Sequence, residues 1–153
     1  MKKLLAVLTA ITLFASALTS AFALEYGEEY SGYTPAVQEK FSDVPSDYWA
    51  YDAIAWALNK GVVNGFSADE FKPNQAITRE QLVAMLYRYS DNPEVSGELS
   101  FSDAASVCDW AVNPILWACQ NKIVQGYTDG SFAPDKTASR AEMAAIIQRF
   151  CAI

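Results

Sequence analysis

FSDVPSDYWAYDAIAWALNKGVVNGF (residues 41–66) and FSDAASVCDWAVNPILWACQNKIVQGY (residues 101–127) are two versions of one pattern. A second pair follows them, FKPNQAITREQLVAMLYRY (71–89) and FAPDKTASRAEMAAIIQRF (132–150). Phe41/Phe101 and Asp43/Asp103 stand 60 residues apart. One inserted residue makes the spacing 61 from Trp49/Trp110 onward, and Trp56/Trp117, Gly65/Gly126, Phe71/Phe132, Pro73/Pro134 and Arg79/Arg140 keep it. Repetition at such a period means small units that bury their apolar faces by sharing a core.

Each unit reads as helix, turn-rich loop, helix. The spacing predicts a first helix from about Trp49 to Lys60, with Trp49, Ile54, Trp56 and Leu58 as its large apolar residues and Gly61 as its stop. The second unit has Lys122 in place of Gly61. Either Asn121 takes the left-handed position there, or that end is less favourable by about 1 kcal/mol. Pro114 is compatible with a helix start at Asn113-Pro114. Asp129-Gly130 marks a tight turn between short extended pieces. The last helix of each unit carries an apolar stripe at i, i+3, i+4, i+7: Leu82, Met85, Leu86 and Tyr89, then Met143, Ile146, Ile147 and Phe150. Thr78-Arg79-Glu80-Gln81 and Ser139-Arg140-Ala141-Glu142 both fit a capping box at the start of that helix. The fold class is therefore mainly α, with tandem helix-loop-helix repeats packed as a small helical bundle.

Arg79 and Arg140 stand at the first helical position, where the helix dipole disfavours a cation. Free N–H groups beside a guanidinium fork suit a carboxylate or phosphate ligand. The structural alternative is an ion pair with an acid of the same fold, such as Asp43 or Asp103. The four tryptophans lie in apolar surroundings at helical spacing and read first as core, with Trp49 and Trp110, near the helix starts, retaining a claim as sugar platforms.

The N-terminus sets a compartment. Lys2 and Lys3 precede an uncharged apolar run from Leu4 to Leu18, and Ala21-Phe22-Ala23 fits a cleavage site, so residues 1–23 read as a secretory signal peptide. Its removal takes Lys2 and Lys3 and moves the net charge from −7 to −9. That acidity argues against nucleic acid and anionic membrane as partners, and no membrane span is expected after cleavage. Residues 24–40 read as an acidic, tyrosine-rich flexible lead, 41–90 as repeat one, 91–100 as a Pro- and Gly-containing linker and 101–153 as repeat two.

Enzyme chemistry finds little support. The sequence holds no histidine, so the commonest general base and metal ligand is missing. It has no Gly-x-Ser-x-Gly elbow and no phosphate-binding loop. The acids around Asp129-Gly130 lack the calcium-loop ladder, and the cysteines lack zinc spacing; no metal and no cofactor is expected. Cys108, Cys119 and Cys151 are an odd number for a secreted chain. An antiparallel helix pair would bring Cys108 and Cys151 together as a candidate disulfide, while Cys119, aligned with Leu58, reads as an apolar filler.

The order F-x-D…W-A…I…G…F-x-P…[T/S]-R-x-[E/Q], present twice, resembles the S-layer homology (SLH) repeat of bacterial surface proteins. The resemblance covers 41–90 and 101–150. It implies a secreted protein attached without covalent bonds at the cell wall or cell surface, through a secondary cell-wall polysaccharide, in several members a pyruvylated one. By that pattern the carbohydrate contacts are Arg79 and Arg140, Asp43 and Asp103, Trp49 and Trp110, and the backbone near Gly65 and Gly126. Repeat one departs from the usual T-R-A-E by reading T-R-E-Q, and Glu80 places a negative charge beside Arg79, which makes repeat two the better expected site. Family members often carry three repeats in a pseudo-threefold bundle with ligand grooves between repeats, whereas this chain shows two. An SLH module usually tethers a cargo, and residues 24–40 are too short to be one. The alternative reading is an assembly module that packs with other SLH-bearing chains or with itself, its sugar site vestigial.

Overall fold

The structure, a computed structural model, describes residues 35–153. The expected signal peptide and most of the expected lead lie outside the described residues. Among the described residues five α-helices follow one another: α1 (Pro35–Lys40), α2 (Tyr51–Asn59), α3 (Arg79–Tyr89), α4 (Asp109–Gln120) and α5 (Arg140–Phe150), with a 3-10 turn at Ala104–Ser106. Among the described residues there is no strand; the nearest thing to sheet is one antiparallel bridge between Thr78 and Thr137. The architecture is the mainly helical small bundle that the periodicity predicts.

Residues 35–40 depart from the flexible lead expected of them. They form a turn and a half of helix because Val37 is fully buried against repeat one, in a cluster with Phe41, Val44, Tyr51, Ile54 and Ala55. One apolar residue placed beside a ready-made pocket outweighs the polar composition around it.

The larger core does not respect the repeat boundary. Leu82, Val83 and Tyr87 of α3 pack with Ala111, Ile115, Trp117 and Ala118 of α4, with Ile123, Val124 and Phe132 of the second loop, and with Ile146 of α5. The last helix of repeat one thus completes the core of repeat two. The ring contacts run the same way: Trp56 meets Tyr89, Tyr89 meets Phe150, Phe150 meets Trp117 and Trp117 meets Tyr87, with centroids 5.6 to 6.3 Å apart. Such offset and edge contacts add to area burial.

The helix ends follow their local chemistry. Both capping boxes are formed: Gln81 N–H donates to Thr78 Oγ1 and Thr78 N–H to Gln81 Oε1, while Ser139 and Glu142 repeat the exchange. Gly61 ends α2 with φ +68°; at the end of α4 it is Lys122 itself, not Asn121, that takes φ +59°. The side-chain cost falls on a lysine and is of order 1 kcal/mol. α4 begins at Asp109, five residues before Pro114, so the start expected at Asn113-Pro114 is corrected. Pro114 lies inside the helix, past its first turn, so the Trp110 carbonyl loses its i→i−4 donor, while Pro114 itself is buried in the bundle. The α3 stripe also differs: Tyr89 lies at the surface, while Val83 and Tyr87 are buried, because α3 is covered on a second face by repeat two.

The expected Cys108–Cys151 bridge is absent, and all three thiols are free. α4 packs chiefly on α3 rather than antiparallel to α5, so the neighbour of Cys108 is Glu80, whose carboxylate accepts the Cys108 N–H at 3.3 Å. Cys119 is half-buried against the core, as the alignment with Leu58 predicts.

Candidate functional site

Asp43 and Asp103 do identical work. Each carboxylate accepts two successive backbone N–H groups, Phe71 (2.8 Å) and Lys72 (2.7 Å) in repeat one, Phe132 (2.8 Å) and Ala133 (2.7 Å) in repeat two. Lys72 and Ala133 are both in left-handed backbone, φ +57° and +54°. The aspartate stabilises this costly turn. The Phe71 N–H, more than any other group, holds the Asp43 carboxyl below its ordinary range.

Gly65 and Gly126 answer to the motif phenylalanines. A Cβ on Gly65 would stand 2.6 Å from Phe41 Cζ, and one on Gly126 would stand 2.7 Å from Phe101 Cε1 and 2.8 Å from the Ser131 carbonyl. Each motif Phe ring therefore fills the space that a side chain on its motif Gly would take, and the four motif positions Phe, Asp, Gly and Phe form one loop-shaping unit.

The two motif arginines part company. Arg140 is exposed and, among the described residues, makes no hydrogen bond or ion pair. Arg79 is 5% exposed. It reaches across the repeat boundary: its Nε donates to the Phe132 carbonyl at 2.9 Å, an Nη reaches the Gln125 carbonyl at 3.5 Å, and the other lies 3.5 Å from Glu142 Oε1. The guanidinium also stands over the Tyr127 and Phe132 rings, 4.7 and 4.9 Å from their centroids. The acid it finds is Glu142, not Asp43 or Asp103. The Tyr127 hydroxyl, the Ser139 N–H and Lys136 all donate to Glu142 and hold its carboxyl far below the usual carboxylate range. Glu80 does not stay beside the Arg79 fork either: it is buried and turned to the start of α4.

Among the described residues the same surface on repeat one is open. Shifting the partners of Arg79 back by 61 residues gives Phe71, Asn64, Phe66 and Gln81, and all four line a groove of about 580 Å³ at the junction of the repeats. Trp110, which starts α4, closes one side of it. Its cations are Lys72, whose ammonium lies 3.6 Å above the Phe66 ring, and Arg88, which donates to the Val62 carbonyl at 3.4 Å. Desolvation lowers the Arg88 pKa, yet a guanidinium stays charged at neutral pH.

The tryptophans divide by position. Trp49 is 87% and Trp110 48% exposed, while Trp56 is half-buried and Trp117 buried. The core reading is thus corrected for Trp49 and Trp110. Gly65 and Trp110 share the groove; Arg79 and Glu142 meet in the counterpart that is filled. Lys72 and Arg88 escaped notice in the sequence because neither belongs to the repeated arginine motif. The signal available was Arg88/Arg149, a second arginine pair in the same 61-residue register.

No helix among the described residues is long and apolar enough to cross a membrane. Comparison with known proteins bears on both repeats. The S-layer homology domain model matches residues 40–83 and 100–144. The chain is 39% identical over 127 residues to an amylopullulanase of Thermoanaerobacterium thermosulfurigenes, covering 78% of this chain and 6% of that protein. It is 37% identical over 117 residues to an exoglucanase of Acetivibrio thermocellus, covering 73% and 11%. It is 34% identical over 113 residues to the surface-layer 125 kDa protein of Lysinibacillus sphaericus, covering 71% and 10%. The chain spans about a tenth or less of the length of these relatives. Motif order, capping boxes and the match over both repeats lead to one conclusion: this chain belongs to the S-layer homology domain family, a family of cell-surface anchoring modules.

Proposed function

We propose that the protein is exported and attaches without covalent bonds to the cell envelope, by recognising an acidic, pyruvylated secondary cell-wall polysaccharide. The groove at the repeat junction carries the reading. It offers an aromatic wall (Trp110, with Phe66 and Phe71) and two cations (Lys72 and Arg88) on a chain whose net charge is −7. A sugar ring stacks on aromatic carbon while its carboxylate meets a guanidinium or ammonium. Trp49, exposed at the matching place in repeat one, is a second platform, and Arg140 is the motif arginine with a free guanidinium. Asp43, Asp103, Gly65, Gly126 and Arg79 serve this site indirectly, by shaping the loops and joining the repeats. No catalytic step is assigned to any of them.

Co-sedimentation with purified cell-wall sacculi, before and after the secondary polysaccharide is stripped, tests the proposal. Binding that disappears with the polysaccharide is the expected result. A folded chain that binds neither preparation would overturn it.

A further inference from the structure

We propose that a second copy of this chain docks head to tail onto repeat one, placing its Arg140 in the groove beside Phe66 and Phe71. The template is the junction inside the molecule. There Arg79 enters repeat two, and its backbone is seated by three hydrogen bonds: Arg79 N–H to the Lys136 carbonyl (2.9 Å), Glu80 N–H to the Pro134 carbonyl (3.2 Å) and Ala138 N–H to the Ile77 carbonyl (3.3 Å).

The backbone partners and the rings of that junction have counterparts 61 residues away, while Glu142 and Lys136 are replaced there by Gln81 and Gln75. On the entering side, Arg140 is exposed and unpaired among the described residues, at the end of an intact capping box. On the receiving side, the carbonyls of Gln75 and Pro73 and the N–H of Ile77 take part in no backbone hydrogen bond among the described residues. Phe66, the counterpart of the Tyr127 ring under Arg79, is 53% exposed. Tyr127 carries both Arg79 and Lys136 with Glu142 paired to each; repeat one has Gln81 at that place, so Lys72, 3.6 Å above Phe66, swings out to solvent when Arg140 enters.

The receiving groove carries two cations of its own, Lys72 and Arg88, and no acid lines it, so Arg140 is held there by neutral acceptors and ring faces rather than by an ion pair. Transposed from the surroundings of Arg79, it offers two carbonyl oxygens and two aromatic faces, and these favour a guanidinium. The occupant is therefore an arginine on a helix start preceded by an extended residue, which this chain itself presents at Ser139-Arg140. The new contact is weaker than the internal one. Where α3 offers Glu80, Val83 and Tyr87, α5 offers Ala141, Ala144 and Gln148, so less apolar area is buried. Gln81 stands where Glu142 would be, so the charge of Arg140 is not neutralised by an acid there and stays available to an anion in the same groove. The contact is heterologous: each copy that docks leaves one groove and one Arg140 free.

Sedimentation velocity of the purified chain over a range of concentrations, without glycan, tests this, so it can fail or succeed apart from the polysaccharide reading. Self-association that grows with concentration is expected. Arg140→Ala removes the entering group and Phe66→Asp spoils the groove; both residues are exposed, so both variants fold, as circular dichroism would check. Each variant alone loses about tenfold or more in association. Mixed, they pair one to one, because one retains the groove and the other the arginine. A wild-type monomer at all concentrations, association unchanged by either variant, or a mixture that fails to pair would each overturn the proposal.

Discussion

Arg79 and Glu142 face each other across the repeat boundary at 3.5 Å, although they hold different places in the same motif, the first residue of one helix and the third of the other. The motif of one repeat is thus joined to the motif of the next. Glu142 caps its own helix and at the same time receives the arginine of its neighbour.

Arg79→Ala is expected to destabilise the chain by about 2–4 kcal/mol, since it empties a buried site and strands the carbonyls and the carboxylate that the fork satisfies. Arg140→Ala, at the surface, is expected to fall within about 0.5 kcal/mol of wild type. Urea unfolding of the two variants side by side checks the contrast; equal effects would mean that the junction does not hold the repeats together.

Acid should weaken the protein through the same network. The folded-state pKa of Glu142 is depressed, chiefly by the Tyr127 hydroxyl, and that of Asp43 is depressed, chiefly by the Phe71 N–H. Their stabilisation is complete above the unfolded carboxylate values, about pH 4–4.5, and is lost as pH falls below them toward the folded values. Melting temperature is expected to be level between about pH 5 and 8 and to drop below that. Glu142→Gln keeps a cap of the kind Gln81 forms and should flatten the acid limb of the curve.

Gly65→Ala and Gly126→Ala should both destabilise, by about 1–3 kcal/mol, because the added methyl overlaps a phenylalanine ring. Gly65 is expected to be the worse of the two, since its φ of +90° strains any side chain in addition. Thermal melts of both variants decide the order.

Trp49→Ala and Trp110→Ala should change stability little and reduce sacculi binding, Trp110 more strongly because it walls the groove. Loss of binding together with loss of fold would assign these residues to structure instead.

Cys108 is exposed, but a hydrogen bond to Glu80 pushes its thiol pKa up, and burial does the same for Cys119. Mass spectrometry without reduction is expected to find every thiol free, with slow alkylation at Cys108. Glu80→Gln should speed that reaction by restoring thiolate.

The sequence by itself determined the repeat, the helical class, both capping boxes and the turn at Asp129-Gly130, because each rests on chemistry within a few residues or on a register that can be read by eye. It also marked the positions that matter, since Phe, Asp, Gly and Arg recur in order. What those residues do was decided by tertiary structure. Arg79 and Arg140 are identical in the motif, yet one is buried and the other exposed, because Arg79 enters repeat two and Arg140 meets no such neighbour among the described residues. Trp49 and Trp117 differ for the same kind of reason: a helical apolar pattern counts residues along one helix and cannot say which face a neighbour covers. Residues 35–40 form a helix whose Val37 is buried against repeat one, a contact that no local signal announces.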